Sequence, residues 1–87
     1  MNIINSEQIH IMLLNILRHV VPQADPQTLQ PDLALYDQLH LDSIDFLRLI
    51  LTLEQEFHLT IFEFDYPQLS TLDGCEHYLT DQLALAA

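Results

Sequence analysis

Three stretches of this chain repeat their apolar residues at steps of three and four. That is the period of an α-helix, and it limits the fold more than any other feature. In the first stretch Ile9, Met12, Leu13, Ile16, Leu17 and Val20 line one face of a helix expected over residues 6–20. Asn5 stands as its N-cap with Gln8 three residues on to reach back, and Pro22 ends it. The second stretch runs from Ser43 to Phe57. The third begins after Ser70, with Asp73 in the capping-box position and an inner stripe of Leu72, Cys75, Leu79 and Leu83. By helix propensity its Gly74 costs ~1 kcal/mol relative to alanine.

Residues 21–41 form a long connection. Within it "DPQTL" suits a single helical turn, with Asp25 capping and Pro26 at the first position. A loop of this length in a small domain needs pinning, and Leu29, Leu33, Leu35, Tyr36 and Leu39 are the residues able to pack inward. The segment "IFEFDYP" alternates Phe62, Phe64 and Tyr66 with acidic residues, which is strand periodicity. A lone short strand cannot satisfy its backbone groups, so a short helix or an ordered loop is expected there. The expected architecture is all-α: a small four-helix bundle with a long first loop and a short third helix, forming a single domain over residues 1–87.

Charge restricts the partners. Thirteen acidic residues face two arginines, Arg18 and Arg48, with no lysine, for a net charge of −11. Such a chain repels phosphate backbones and anionic membranes, so nucleic acid is excluded as a partner. No apolar run is long enough for a membrane span, and "MNIINSEQ" lacks the basic segment of a signal peptide. The single Cys75 cannot form an internal disulfide, which fits a reducing, cytoplasmic setting. The ends read as natural termini, so a free-standing monomer is expected.

On a helical wheel of ~100° per residue the second helix shows two apolar sides. Phe46, Leu49, Ile50, Leu53 and Phe57 make the wider, core-facing stripe, while Ile44, Leu47 and Leu51 fall on another side. Either a further helix covers that second stripe, or it is an exposed patch that docks against partners. Ser43 sits at its start, in "HLDSID". A serine before an apolar run is ordinarily a cap. Here Asp42 is the better N-cap, with Asp45 three residues later, whereas a box starting at Ser43 would need Glu or Gln where Phe46 stands. That assignment leaves the Ser43 hydroxyl free, at a helix start that tolerates a phosphate ester.

The stretch "LHLDSIDFLRLILTLEQEF" resembles the signature of acyl carrier proteins, and the likeness continues through "LTIFEFDYPQLSTLDGCEHYL". The resemblance implies that Ser43 carries a phosphopantetheine arm, transferred from coenzyme A by a phosphopantetheinyl transferase. Asp42 would flank and present the serine. Ile44, Asp45, Leu47, Arg48, Leu51 and Glu54 would lie on the partner-binding surface. It further implies a non-catalytic carrier holding an acyl or aminoacyl group as a thioester, served by an acyl- or amino-acid-activating ligase, a synthase or an acyltransferase. A flexible tether of this kind raises the effective concentration of its cargo at each enzyme visited.

Three departures from the family pattern stand out. His40 replaces a common glycine, which argues against a left-handed backbone there. Arg48 occupies a flank that is typically acidic in the members serving fatty acid synthesis, and Phe46 is bulky near the expected pocket mouth. Together they point to a dedicated carrier for a specialised pathway: a modified fatty acid, a lipopeptide or an activated amino acid, the last as in non-ribosomal peptide synthesis. Phe46 also suggests that a long acyl chain stays outside the bundle. Among competing readings, catalysis lacks a constellation. His10, His19, His40, His58 and His77 show no ligand spacing, and Cys75 and His77 fall on different helix faces. An unmodified acidic adaptor for a basic protein remains the alternative and assigns Ser43 no role.

Overall fold

Residues 4–86 are described by the computed structural model. Residues 1–3 and 87, which the single-domain expectation includes, lie outside them. Helix α1 spans Ser6–Val20, and its start is closed reciprocally: the Asn5 side chain accepts from the Gln8 N–H at 2.8 Å and the Gln8 side chain accepts from the Asn5 N–H at 3.0 Å. Helix α3 spans Ser43–Phe57 and α4 spans Leu72–Ala86. Helix α1 packs against both, so Ile9, Leu13, Ile16 and Leu17 meet Leu49, Ile50, Leu53, Leu72, Cys75 and Leu79 in one core. A His10–Glu76 pair also joins α1 to α4. The architecture is a small all-α bundle without strands among the described residues.

The long connection is more ordered than its composition suggests. Asp25 caps a 3₁₀ turn, Pro26–Thr28, accepting from the Gln27 N–H at 3.1 Å. A helix not anticipated from the sequence, α2, spans Leu35–Leu39. Its driving force is the four-residue spacing of Leu35 and Leu39, both buried. Gln38 then staples the loop: its side-chain amide accepts from the Gln30 N–H and donates to the carbonyls of Gln30 and Leu33, at 2.8, 2.9 and 3.0 Å. Backbone bonds from Leu35 N–H to Ser70 O (2.8 Å) and from Asp73 N–H to Pro31 O (3.0 Å) tie the loop to the start of α4. Of the residues expected to pin it, Leu35, Leu39 and Leu29 do so, whereas Leu33 and Tyr36 are exposed, Tyr36 resting only one ring face on Phe46. A chain of this size cannot bury every leucine in its loops.

The segment that alternates like a strand forms a 3₁₀ helix, Glu63–Leu69, that accommodates Pro67. Its C-terminal end explains two corrections at α4. The cap is Thr71 rather than Ser70: Thr71 Oγ1 accepts from the Gly74 N–H at 2.9 Å, because the Ser70 carbonyl is engaged with Leu35 and its side chain stands one residue too early. Gly74 is not merely a weak helix former. A β-carbon there would stand 2.2 Å from the Gln68 carbonyl oxygen, so the missing side chain lets the 3₁₀ helix turn directly into α4. Gly74→Ala is therefore expected to lower stability by about 1–3 kcal/mol despite alanine's better helix propensity, as a fall in the urea midpoint. A stabilised variant would contradict the close approach.

Candidate functional site

The site begins where α2 stops. His40 closes α2 in a left-handed conformation, φ 52° and ψ 46°, contrary to the expectation drawn from its lack of a glycine. Histidine is among the non-glycine residues enriched in that region. The Leu41 N–H bonds back to the Tyr36 carbonyl at 3.1 Å, which sends the Leu41 side chain into the core and turns Asp42 outward. The same device, at His58, ends α3.

Asp42 is extended and caps α3. Its Oδ1 accepts from the Asp45 N–H at 2.8 Å, and Asp45 Oδ2 accepts from the Asp42 N–H at 3.3 Å. Each carboxylate thereby satisfies a donor that the helix start leaves open. Ser43 follows as the first helical residue. It is exposed, and among the described residues its hydroxyl has no hydrogen-bond partner. The Ser43 and Ile44 N–H groups have no hydrogen-bond partner among the described residues, as is usual in the first turn of a helix. A phosphate ester on Ser43 would sit beside these donors and the positive end of the helix. The residues present fit such a group.

Beyond Ser43, the second apolar stripe of α3 is exposed. Ile44, Leu47 and Leu51 are 68%, 46% and 50% accessible, left uncovered by the other described residues. Arg48 stands among them at the same helical spacing, with no carboxylate in ion-pair distance among the described residues. The other two surface residues expected from the resemblance each accept a hydrogen bond within the chain. Asp45 serves the cap, and Glu54 is half-buried with Oε2 accepting from the Ile61 N–H at 2.8 Å, where it holds the connection after α3.

The inward side of the site is aromatic. Phe46 is buried against Tyr36, with ring centroids 5.2 Å apart and stacked, and against the edge of Tyr66 at 5.8 Å. The alternation of Phe62 and Phe64 hides a different outcome from the strand it resembles. The two rings stack at 5.7 Å and both are exposed. No signal in the sequence separates that outcome from a buried pair. Cys75 is in the core, donating to the Leu69 carbonyl at 3.3 Å; burial, then the nearby Glu76 charge, pushes its thiol up to about 12. His77, two residues on, is exposed, so the two are not brought together.

Tyr78 fixes the 3₁₀ helix to α4 by donating to Asp65 Oδ2 at 2.8 Å. Burial first, and then that bond and the charges of Asp65 and Glu54, push its phenol up to about 12. The fold favours the neutral phenol. Its contribution is complete below the ordinary tyrosine value of ~10 and is lost as the pH rises through about 12. Unfolding free energies between about pH 9 and 12 are expected to fall more steeply for the native chain than for Tyr78→Phe. Parallel slopes would contradict this.

No curated protein matches the chain. A family model described as "Phosphopantetheine attachment site" matches residues 13–79, which run from the middle of α1 to the inner stripe of α4 and contain the whole Asp42–Asp45 start. Domains of this family are generally carriers without catalytic activity of their own, and they are met by phosphopantetheinyl transferases and biosynthetic enzymes. The chain belongs to the phosphopantetheine-attachment family, as acyl carrier proteins do, and is a domain for covalent attachment of phosphopantetheine.

Proposed function

We propose that Ser43 is the attachment residue and that this chain carries an acyl or aminoacyl group for a specialised biosynthetic pathway. One observation carries the assignment. The Ser43 hydroxyl is exposed and, among the described residues, unbonded, at a helix start whose side-chain caps are Asp42 and Asp45. In the transfer, Ser43 Oγ forms a bond to the β-phosphorus of coenzyme A, and the pyrophosphate linkage breaks. Adenosine 3′,5′-bisphosphate leaves, and the hydroxyl proton passes to a base of the transferase. Asp42 orients the serine by fixing the first turn. The Ser43 and Ile44 N–H groups lie where they offset charge on the ester. Once attached, the arm supplies a terminal thiol for holding cargo as a thioester.

Ile44, Leu47, Arg48 and Leu51 form the docking face. A transferase working at Ser43 covers that face, and three apolar side chains around one cation suit a partner surface that is apolar with an acidic residue opposite Arg48. An activating ligase, synthase or acyltransferase meets the same face. The chain works in the cytoplasm, in keeping with its one reduced thiol.

Incubation with coenzyme A, magnesium and a broad-specificity phosphopantetheinyl transferase, followed by intact-mass measurement, tests the assignment. The native chain is expected to gain one phosphopantetheine and Ser43→Ala none. An unchanged native mass with several transferases would instead favour an acidic adaptor that is never modified.

A further inference from the structure

Below Ser43 on α3, Phe46 meets the 3₁₀ helix through the edge of Tyr66, and Ile50 and Glu54 follow at four-residue steps. A chain hung on Ser43 that entered the core on this side would have to pass between these two elements. Three sets of contacts stand in that path. At the Ser43 end Phe46 fills it, stacked under Tyr36 and met by the edge of Tyr66. At the far end the Glu54 carboxylate bonds the Ile61 N–H. Tyr78 holds the 3₁₀ helix from behind through Asp65. Between the two ends Ile50 and Leu53 are fully buried. Two surface clefts lie elsewhere. One, of about 260 Å³, is between α1 and α3 and is lined by Met12, Ile16, His19 and Glu56. The other, of about 320 Å³, lies against the first loop. Neither is lined by Ser43, Phe46 or Ile50.

We infer that cargo borne on Ser43 stays outside the bundle, shut out by the Phe46–Tyr36–Tyr66 cluster, and that the carrier therefore serves short or polar acyl and aminoacyl groups rather than long alkyl chains. A long chain left in water keeps its full hydration cost, whereas an amino acid or a short polar acyl group loses nothing by remaining exposed. The bundle gives cargo no shelter, so protection of the thioester falls to the partner enzymes. This inference rests on Ser43 being the point of attachment.

The test requires no transferase. Ser43→Cys is alkylated with N-octyl iodoacetamide or, as the control, N-methyl iodoacetamide: the new thiolate displaces iodide and forms a thioether. Cys75 is fully buried, and its thiol is held protonated by that burial, so the introduced surface thiol reacts first. Amide spectra of the two adducts are expected to differ only around the first turn of α3, with equal melting temperatures. Octyl-dependent shifts at Ile50 and Leu53, or a raised melting temperature, would overturn the inference. In a Phe46→Ala background, or Phe46→Leu should alanine not fold, the octyl adduct is expected to shift Ile50 and Leu53. No shift there would overturn the role of the aromatic cluster. A native chain that gains phosphopantetheine while the octyl adduct perturbs the core defeats this inference alone. Failure to gain the arm at all defeats the attachment assignment instead.

Discussion

The reciprocal bonds between Asp42 and Asp45 are the interaction on which the rest depends. A helix start leaves several N–H groups open, and a serine placed there is ordinarily consumed in closing them. Here two carboxylates close the two that a capping side chain would reach, the Asp42 side chain on the Asp45 N–H and the Asp45 side chain on the Asp42 N–H. Ser43, lying between, is left with an unbonded hydroxyl in solvent. The left-handed turn at His40 makes this possible, because it buries Leu41 and delivers Asp42 to the outside in consecutive residues. The exposed hydroxyl is thus a by-product of how α3 is started, which is what the attachment proposed at Ser43 requires. That suits a residue whose chemistry is carried out by other proteins.

A second set of constraints shapes what lies inward and outward of that hydroxyl. Inward, α4 controls the site from a distance. Gly74 allows the 3₁₀ helix to approach, and Tyr78 fixes it through Asp65, which sets Tyr66 against Phe46. Outward, α3 spends its other apolar stripe on solvent. Three large side chains exposed in a row cost solubility, and the net charge of −11 offsets that while the stripe remains free. Arg48, without an ion-pair partner among the described residues, departs from the acidic flank that the resemblance to fatty-acid carriers leads one to expect.

Much of this was legible in the residues, for identifiable reasons. The bounds of α1 and α3 and both capping boxes follow from short-range rules, and each box needs only residues three apart. The 3₁₀ turn at Pro26 is equally local. What failed to show was decided by contacts between distant segments. Helix α2 is five residues long and depends on burying Leu35 and Leu39 against the rest of the bundle. Thr71 caps α4 because the Ser70 carbonyl answers Leu35 across the chain. The requirement for glycine at position 74 comes from Gln68, which no propensity scale registers. Periodicity marked the Ile44–Leu47–Leu51 stripe but could not say whether a neighbouring helix covered it, and the exposed Phe62–Phe64 pair gave no warning at all. The bond from the Ile61 N–H to the Glu54 carboxylate, which holds the connection after α3, is likewise a contact that no short-range rule signals.

The most direct measurement compares the unfolding free energies of Asp42→Ala and Ser43→Ala with that of the native chain by urea titration. If the aspartates alone close the helix, Asp42→Ala loses about 1 kcal/mol, in the range of a lost N-cap, while Ser43→Ala stays within about 0.5 kcal/mol of native. A Ser43→Ala loss as large as that of Asp42→Ala would mean that the hydroxyl is tied to the backbone and not free to be modified.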